Sequence, residues 1–309
     1  MHRSRRVIVA VAALSVLSLS ACGGSHHSGG DAVTAADSPT SGAMDPNMPG
    51  MNHTGMAGMT MPMNDGDGLS ATQDGYTLTS LKAPKTAGEA GTLSFAIKGP
   101  TGKPHTEFTL QQTKLLHLYV VRKDLTQYQH LHPTLDTKTG VWTVSATFAE
   151  PGPYHLLTEF EALTPAGDFD DRKLGDDFTI PGKYKPVPFS PTLNAADVGD
   201  YKLALEGTPA VGGGELKLKI TKGDADVTDL QPYLASFAHV TGFRKGDLKA
   251  VHVHPNETPK VGDANAVGGP ILTLAPMFTE AGTYRLFVQF QTDGQVRVAP
   301  LDIEVVKSA

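Results

Sequence analysis

The distribution of apolar residues divides the chain into a polar first part and a second part made of short apolar runs. From Tyr76 onward, runs rich in Val, Leu, Thr, Phe and Tyr are separated by Gly, Pro and Asp, as in "GTLSFAIKG", "VWTVSATF" and "YHLLTEFEA". Runs of this length, with no long helical period between them, are typical of the strands of a β-sandwich. The sequence therefore predicts an all-β fold.

The same pattern occurs twice, on either side of the proline-rich segment "PGKYKPVPFSPTLN" at 181–194. "GTLSFAIKG" corresponds to "GELKLKITK", "HLYVVRKDLTQYQHLHP" to "HVTGFRKGDLKAVHVHP", and "FAEPGPYHLLTEF" to "FTEAGTYRLFVQF". Two copies indicate an internal duplication, and each has the length of an immunoglobulin-like domain. We expect two tandem immunoglobulin-like β-sandwich domains, with Tyr154 and Tyr284 at the turn that enters a late strand.

The polar first part is rich in Gly, Ser, Ala, Asp, Pro, Asn and Met, and between Gly23 and Asp74 it contains no aromatic residue and no isoleucine. Such a segment cannot bury enough apolar surface to offset its ordering entropy, which predicts a disordered tether. The expected segments are a signal peptide at 1–21, the tether at 22–74, the first sandwich at 75–182, a linker at 183–194 and the second sandwich at 195–309.

Residues 1–21 have the character of an export signal, because three arginines precede an apolar run, Val7–Leu19, that is short for a membrane span. The following "LSAC", which ends at Cys22, resembles the lipobox of bacterial lipoproteins. That resemblance implies cleavage before Cys22, a diacylglycerol on its thiol and a further acyl chain, such as palmitate, on the new amino terminus. We therefore expect a lipid-anchored protein on the extracytoplasmic face of the cell membrane, in the periplasm or facing the extracellular medium.

Charge and cysteine content narrow the choice of partners. Cys22 is the only cysteine, so no intramolecular disulfide can form. Loss of residues 1–21 removes three arginines and no acidic residue, which takes the formal net charge from −6 to −9. A mildly acidic surface repels phosphate backbones, so nucleic acid is excluded as an expected partner.

Histidines recur at one spacing in both copies. His117 precedes His130 and His132 by the same intervals at which His239 precedes His252 and His254, and each H-x-H pair is followed by proline. Residues i and i+2 of a strand point to the same face about 7 Å apart, and proline marks an edge or an end of a strand. A third histidine from a neighbouring strand would complete a three-nitrogen site suited to copper or zinc. The alternative is that these histidines serve only the packing of a duplicated fold.

The two copies differ at two positions close to this pattern. His155 of the first copy corresponds to Arg285, and Glu159 corresponds to Gln289. If these residues flank the histidines, the first copy has an additional nitrogen and a carboxylate nearby. We therefore expect the first copy to hold the better metal site, with His155 as an additional ligand.

The tether contains a tract of methionines that packing does not explain. Seven of the nine methionines of the chain lie in this tract. Thioether sulfur is a soft ligand that prefers Cu(I), and intervening glycines allow the chain to wrap an ion. The alternative is a linker whose composition has drifted. The expected ligands of the tract are Met44, Met48, Met51, His53, Met56, Met59, Met61 and Met63.

The tract resembles the Met/His-rich segments of bacterial copper-resistance proteins of the cell envelope. The duplicated unit, with its H-x-H-P motif, resembles β-rich domains of secreted bacterial proteins described as heavy-metal-binding. Together these resemblances imply a metal-handling role in the cell envelope.

Enzyme motifs are missing from the chain. It has no G-x-S-x-G, phosphate-binding loop or dinucleotide fingerprint, so we expect no catalytic activity and no catalytic residues. The acidic segment "DFDDRKLGDD", Asp168 to Asp177, lacks the pattern of an EF-hand and is interpreted as a solvated hairpin loop.

These patterns predict an extracytoplasmic, lipid-anchored copper-binding protein that serves tolerance, buffering or delivery. Cu(I) is expected at the methionine tract and Cu(II) at the histidines, with zinc as the other metal that suits the histidines. A copper transporter or oxidase is the expected protein partner. The alternative is a structural or interaction lipoprotein that displays two immunoglobulin-like domains and binds no metal.

Overall fold

The computed structural model describes residues 66–163, 169–260, 262–263 and 265–308. All regular elements in these residues are β-strands, which confirms the predicted all-β class. Within the same residues, no helix is long and apolar enough to cross a membrane.

The first sandwich consists of two antiparallel sheets. In chain order its strands are β1 (Thr72–Gln73), β2 (Tyr76–Lys82), β3 (Ala90–Lys98), β4 (His117–Arg122), β5 (Gln129–Leu131), β6 (Thr134–Asp136), β7 (Val141–Thr147), β8 (Gly152–Leu163) and β9 (Phe169–Ile180). One sheet has the order β1-β2-β3-β7-β6 and the other β5-β4-β8-β9.

The second sandwich resembles the first, although its described residues form no strand equivalent to β6. Its strands are β10 (Ala195–Val198), β11 (Tyr201–Glu206), β12 (Leu216–Lys222), β13 (Ala225–Asp226), β14 (Ala238–Arg244), β15 (Ala250–Val253), β16 (Ile271–Leu274), β17 (Gly282–Thr292) and β18 (Gln295–Val305). One sheet has the order β10-β11-β12-β13, with β16 also paired to β12, and the other has the order β15-β14-β17-β18.

Both sandwiches have an immunoglobulin-like strand order. In the first, β2-β3-β7-β6 corresponds to strands A, B, E and D, and β5-β4-β8-β9 to C′, C, F and G. A tyrosine corner is present in each, because the hydroxyl of Tyr154 donates to the carbonyl of Glu150 at 2.6 Å and that of Tyr284 donates to the carbonyl of Glu280 at 2.8 Å. The predicted pair of immunoglobulin-like sandwiches is therefore confirmed.

Burial along the strands distinguishes the two kinds of sheet. β11, "YKLALE", alternates buried and exposed residues, as expected for a sheet with one face in a core and the other in water. β4, "HLYVVR", is buried at every position. Its alternate residues contribute to two different apolar clusters, one inside the sandwich and one outside it. The sheet that contains β4 is therefore covered on both faces.

The second sheets of the two sandwiches pack against each other. Tyr128 and Phe287, one from each sandwich, stack with ring centroids 4.1 Å apart and planes 4° from parallel. A buried apolar cluster surrounds this pair and consists of Tyr119, Val121, Leu125, Leu157, Phe243, Leu248 and Phe287. We call this region the inter-sandwich interface.

The interpretation of the acidic segment as a hairpin loop is wrong. From Phe169 to Ile180 the chain forms β9, which pairs antiparallel with β8 over its whole length. Leu174 and Ile180 are buried and hold this edge strand against the core, whereas Asp171 and Asp177 are exposed.

Candidate metal centre

The first set of three histidines is assembled by the pairing of β4 with β5. Tyr119 lies opposite His130 and Leu118 opposite Leu131, so His117 at the start of β4 faces His132 directly after β5. Leu131 packs against the core of the sandwich, and His130 and His132 therefore project from the opposite face. This is the predicted convergence of an H-x-H pair with a third histidine from a neighbouring strand.

One potential ligand nitrogen from each of His117, His130 and His132 lies within 4.8 Å of the other two. We call this group the first triad. Nδ1 of His117 is 3.0 Å from Nε2 of His130. An ion bound tetrahedrally at about 2.0–2.1 Å from nitrogens holds them about 3.3 Å apart, which is close to the observed separation.

The second triad is built in the same way by β14 and β15. Thr241 lies opposite His252, and the side chain of Val253 packs against the core. The potential ligand nitrogens of His239, His252 and His254 again lie within 4.8 Å of one another. Nε2 of His254 is 3.2 Å from Nδ1 of His239.

Hydrogen bonds from outside the first triad fix the tautomers of two of its members. Nε2–H of His117 donates to the carbonyl of Gln111 at 3.0 Å, and Nδ1–H of His130 donates to Oε1 of Gln289 at 2.6 Å. In the neutral rings, Nδ1 of His117 and Nε2 of His130 then carry no proton, and their lone pairs face each other. Nε2 of His132 is buried without a hydrogen-bond partner. A cation placed among these three nitrogens satisfies all of them.

In the second triad, Nε2–H of His239 donates to the carbonyl of Leu234 at 3.3 Å, and Nδ1–H of His252 donates to the carboxylate of Glu159. In neutral rings, these bonds leave a lone pair on Nδ1 of His239 and on Nε2 of His252, and Nε2 of His252 is buried with no hydrogen-bond partner. The amide nitrogen of Gln112 lies 2.9 Å from Nδ1 of His254. A half-turn of this amide presents its oxygen to Nδ1–H and frees Nε2 of His254 for an ion.

Burial favours the neutral form of His117, His130, His132, His239 and His254, which is the form that binds metal. It lowers the pKa of His130 to about 2, with neighbouring imidazoles adding to the shift, and it lowers the pKa of His132 to about 4. The pKa of His254 falls to about 3 for the same reason. The pKa values of His117 and His239 are also lowered, chiefly by burial.

The two triads form a single cluster in the inter-sandwich interface. The rings of His117 and His239 lie side by side, with centroids 5.9 Å apart and planes 27° from parallel. The centroid of His130 is 5.7 Å from that of His239. Six imidazoles are therefore collected where the two sandwiches meet.

Each sandwich also supports the triad of the other. Gln289 of the second sandwich accepts a hydrogen bond from His130 of the first, and Glu159 of the first accepts one from His252 of the second. Glu159 and Gln289 occupy equivalent positions, since they lie opposite His117 and His239 respectively in their own sheets.

Glu159 is a buried carboxylate between two positively charged or donating groups. Its oxygens contact His252 and lie 3.7 Å from Nζ of Lys173. Burial raises the pKa of this carboxyl, but its interactions with His252 and Lys173 outweigh burial and hold the pKa well below its ordinary value. Glu159 is therefore ionised in the folded protein.

Two expectations about this region need correction. His155 is not brought to either triad, because its Nδ1 is 2.9 Å from Asp177 and its Nε2 is 2.9 Å from the carbonyl of Gly68, which uses both ring nitrogens. Glu159 was expected to serve the triad of its own sandwich, but the histidine that donates a hydrogen bond to it is His252 of the other sandwich. The basis for preferring the first triad is thereby lost.

Other expected site residues lie outside the described residues. These are Cys22, His53 and the methionines of the tract, together with the signal segment at 1–21.

Sequence reasoning missed the inter-sandwich interface and the ligand support that crosses it. One signal was present: "HLYVV" in β4 is a continuous apolar run, which is typical of a strand covered on both faces. The partners Gln111, Gln112 and Gln289 carry no comparable signal, because an isolated glutamine has no spacing pattern.

A family model matches the chain in two regions, residues 71–165 and 196–307. The chain belongs to this family, Domain of unknown function (DUF8832). Each DUF8832 region contains one complete triad, and the two matches bear out the internal duplication predicted from the sequence. The family description names no activity, and no curated protein matches the chain.

Some solved structures resemble the DUF8832 chain at low identity. The Escherichia coli adhesin FdeC is 17% identical with a TM-score of 0.24, covering 76% of this chain and 65% of its own. The bacterial integrin-binding protein invasin is 11% identical with a TM-score of 0.22, covering 75% of this chain and 39% of its own. The Yersinia pseudotuberculosis adhesin InvE is 10% identical with a TM-score of 0.22, and the match covers 77% of this chain and 61% of InvE. The chain thus spans less than two thirds of the length of these proteins. TM-scores this low do not support an inference about function.

Proposed function

We propose that this DUF8832 protein binds metal ions at the two histidine triads and that its metal is copper. The observation that carries the proposal is the convergence of three imidazole nitrogens twice, within 4.8 Å in each case. Outside hydrogen bonds point lone pairs of these imidazoles at one another inside the protein. Buried polar atoms without partners are costly, so a cluster with this arrangement is better suited to an ion than to packing.

Copper is preferred to zinc because of the rest of the sequence. Imidazole nitrogen suits both ions, but the thioethers between Met44 and Met63 suit Cu(I) and not zinc. In this proposal the tract captures Cu(I) and the triads hold Cu(II) or receive the ion. No turnover is required for this role.

The proposed location follows from residues 1–21 and the "LSAC" sequence at Cys22. They support a lipid-anchored protein on the extracytoplasmic face of the membrane, where copper tolerance, buffering or delivery would operate. A copper transporter or oxidase is the protein partner that such a role requires.

A copper titration of the full chain tests this proposal. Cu(II) competition with a chelator should show tight sites that are lost on combined replacement of His130, His132, His252 and His254 by alanine. If this variant folds and keeps its full Cu(II) affinity, the triads are packing elements and the protein is a structural or interaction module.

The methionine tract is tested separately with Cu(I). Replacement of its seven methionines by serine preserves the length and flexibility of the segment. Cu(I) binding should fall while Cu(II) binding at the triads stays unchanged. Unchanged Cu(I) affinity would show that the tract is only a linker.

A further inference from the structure

The two triads have the same ligands but different support. In the first sandwich, His117, Glu159 and Lys173 lie side by side across β4, β8 and β9. In the second, the equivalent row across β14, β17 and β18 is His239, Gln289 and Val298. The carboxylate and its lysine counter-charge are therefore confined to the first sandwich.

Because Glu159 and Gln289 each accept a hydrogen bond from a histidine of the other sandwich, this difference affects the triad of the opposite sandwich. Nδ1–H of His252 donates to a carboxylate, whereas Nδ1–H of His130 donates to the neutral amide oxygen of Gln289, at 2.6 Å. Both bonds lie on the side of the imidazole away from the nitrogen that faces the triad. One imidazole of the second triad therefore donates a hydrogen bond to an anion, whereas the described hydrogen bonds of the first triad include none of this kind.

We infer that the second triad is the higher-affinity site and fills first, and that Glu159 of the other sandwich is the positioning residue responsible. This inference rests on the proposed metal-binding function. It reverses the order expected from the sequence, in which Glu159 was assigned to the triad of its own copy.

The reason lies in the chemistry of an imidazole between an ion and a carboxylate. An anion that accepts Nδ1–H increases the electron density at Nε2, and it compensates part of the charge that a divalent ion brings into a buried site. Loss of such an outer partner lowers metal affinity by about 10–100-fold. Lys173 balances Glu159 from the other side, at 3.7 Å. The carboxylate is therefore tolerated in the interface before any ion binds.

A cavity reaches one histidine of the second triad. His252 lines a cavity of about 860 Å³ whose wall also includes Lys173, Lys249 and Met277. None of the three histidines of the first triad is among the residues that line this cavity. Met277, on the same wall, is 69% exposed.

The experiment isolates each triad in the full chain. The double variant H130A/H132A retains only the second triad, and H252A/H254A retains only the first. Zn²⁺ is the probe, because it has no redox change and little preference for thioethers. Competition with a chelator should give a dissociation constant at least about ten-fold lower for the isolated second triad.

Exchange of the supporting residues then tests the role of Glu159. E159Q in the H130A/H132A background should raise the dissociation constant by about ten-fold or more, toward that of the first triad. Q289E combined with V298K transplants the carboxylate and its counter-charge, and it should lower the dissociation constant of the isolated first triad. V298K alone is the matched control and should change neither triad. A gain of affinity from transplantation is not expected of a residue that only maintains the fold.

The wild-type chain gives a readout that does not depend on the folding of variants. With ¹⁵N-labelled histidine, the first equivalent of Zn²⁺ should shift the ring nitrogens of the second triad before those of the first. Equal affinities, filling in the opposite order, or an E159Q variant that binds as tightly as its parent would overturn the inference. Absence of Zn²⁺ and Cu(II) binding at both triads would instead overturn the proposed function.

Discussion

Nδ1 of His130 lies 2.6 Å from Oε1 of Gln289, and the two residues belong to different sandwiches. Oε1 of Gln289 is also 3.4 Å from the hydroxyl of Tyr128, so one amide oxygen serves two donors of the first sandwich. The orientation of a histidine in one domain is thus set by a side chain of the other. A metal ion bound at the first triad would therefore be coupled to the packing of the two domains through this contact.

Replacement of Gln289 by leucine should weaken the first triad. The variant leaves Nδ1–H of His130 buried without an acceptor, which costs about 1–3 kcal/mol of unfolding free energy. It also releases the ring from its orientation, so Zn²⁺ affinity of the H252A/H254A background should fall by about ten-fold or more.

Gln295→Leu is the matched control, because Gln295 is an exposed glutamine on the neighbouring β18. It should leave both unfolding free energy and Zn²⁺ affinity unchanged. Equal Zn²⁺ affinity for the two leucine variants would show that the contact with Gln289 does not position His130.

Removing the ring of Phe287, which stacks on Tyr128, should lower both the unfolding free energy and the Zn²⁺ affinity. Phe287→Ala removes a ring that is only 4% exposed, at a cost of about 3–5 kcal/mol in unfolding free energy. Because the ring lies in the inter-sandwich interface, Zn²⁺ affinity at both triads should fall as well. Chemical denaturation and chelator competition measure the two effects.

Phe278→Ala provides the comparison, since Phe278 is 2% exposed but packs in the core of the second sandwich. It should cost a similar unfolding free energy and leave Zn²⁺ affinity at the first triad unchanged. The interface account fails if Phe278→Ala and Phe287→Ala lower the affinity of the first triad equally.

The sequence was sufficient for the fold and for the membership of each triad, but not for their surroundings. Strand alternation and the repeated H-x-H-P spacing depend on residues close together in the chain, and both gave correct predictions for His117, His130 and His132. The contacts of Glu159 with His252 and of Gln289 with His130 depend on how two domains dock. Docking is decided by shape and burial across the inter-sandwich interface, which a linear pattern does not encode.

The metal-free protein should lose stability in mild acid. Burial lowers the pKa of His132 to about 4, below the value of about 6.5 expected in the unfolded chain. Below about pH 6.5 the unfolded state therefore binds a proton that the folded state does not, and unfolding free energy falls as pH falls toward 4. Each histidine that stays neutral in the folded state makes the unfolding free energy fall by up to about 1.4 kcal/mol for each pH unit of acidification.

Denaturant titrations between pH 7 and pH 5, with a chelator present, measure this slope. His132→Gln should give a shallower dependence on pH than the wild type, because one such histidine is removed. Identical slopes for the two proteins would contradict the neutral state of His132 in the folded protein.

The most direct test of the central claim is the number of Cu(II) ions held per chain. Equilibrium dialysis against a competing chelator should give one ion fewer for H130A/H132A than for the wild type, and one fewer for H252A/H254A. The quadruple variant should hold two fewer, whatever the methionine tract contributes. The same number of ions in the wild type and a folded quadruple variant would contradict the account.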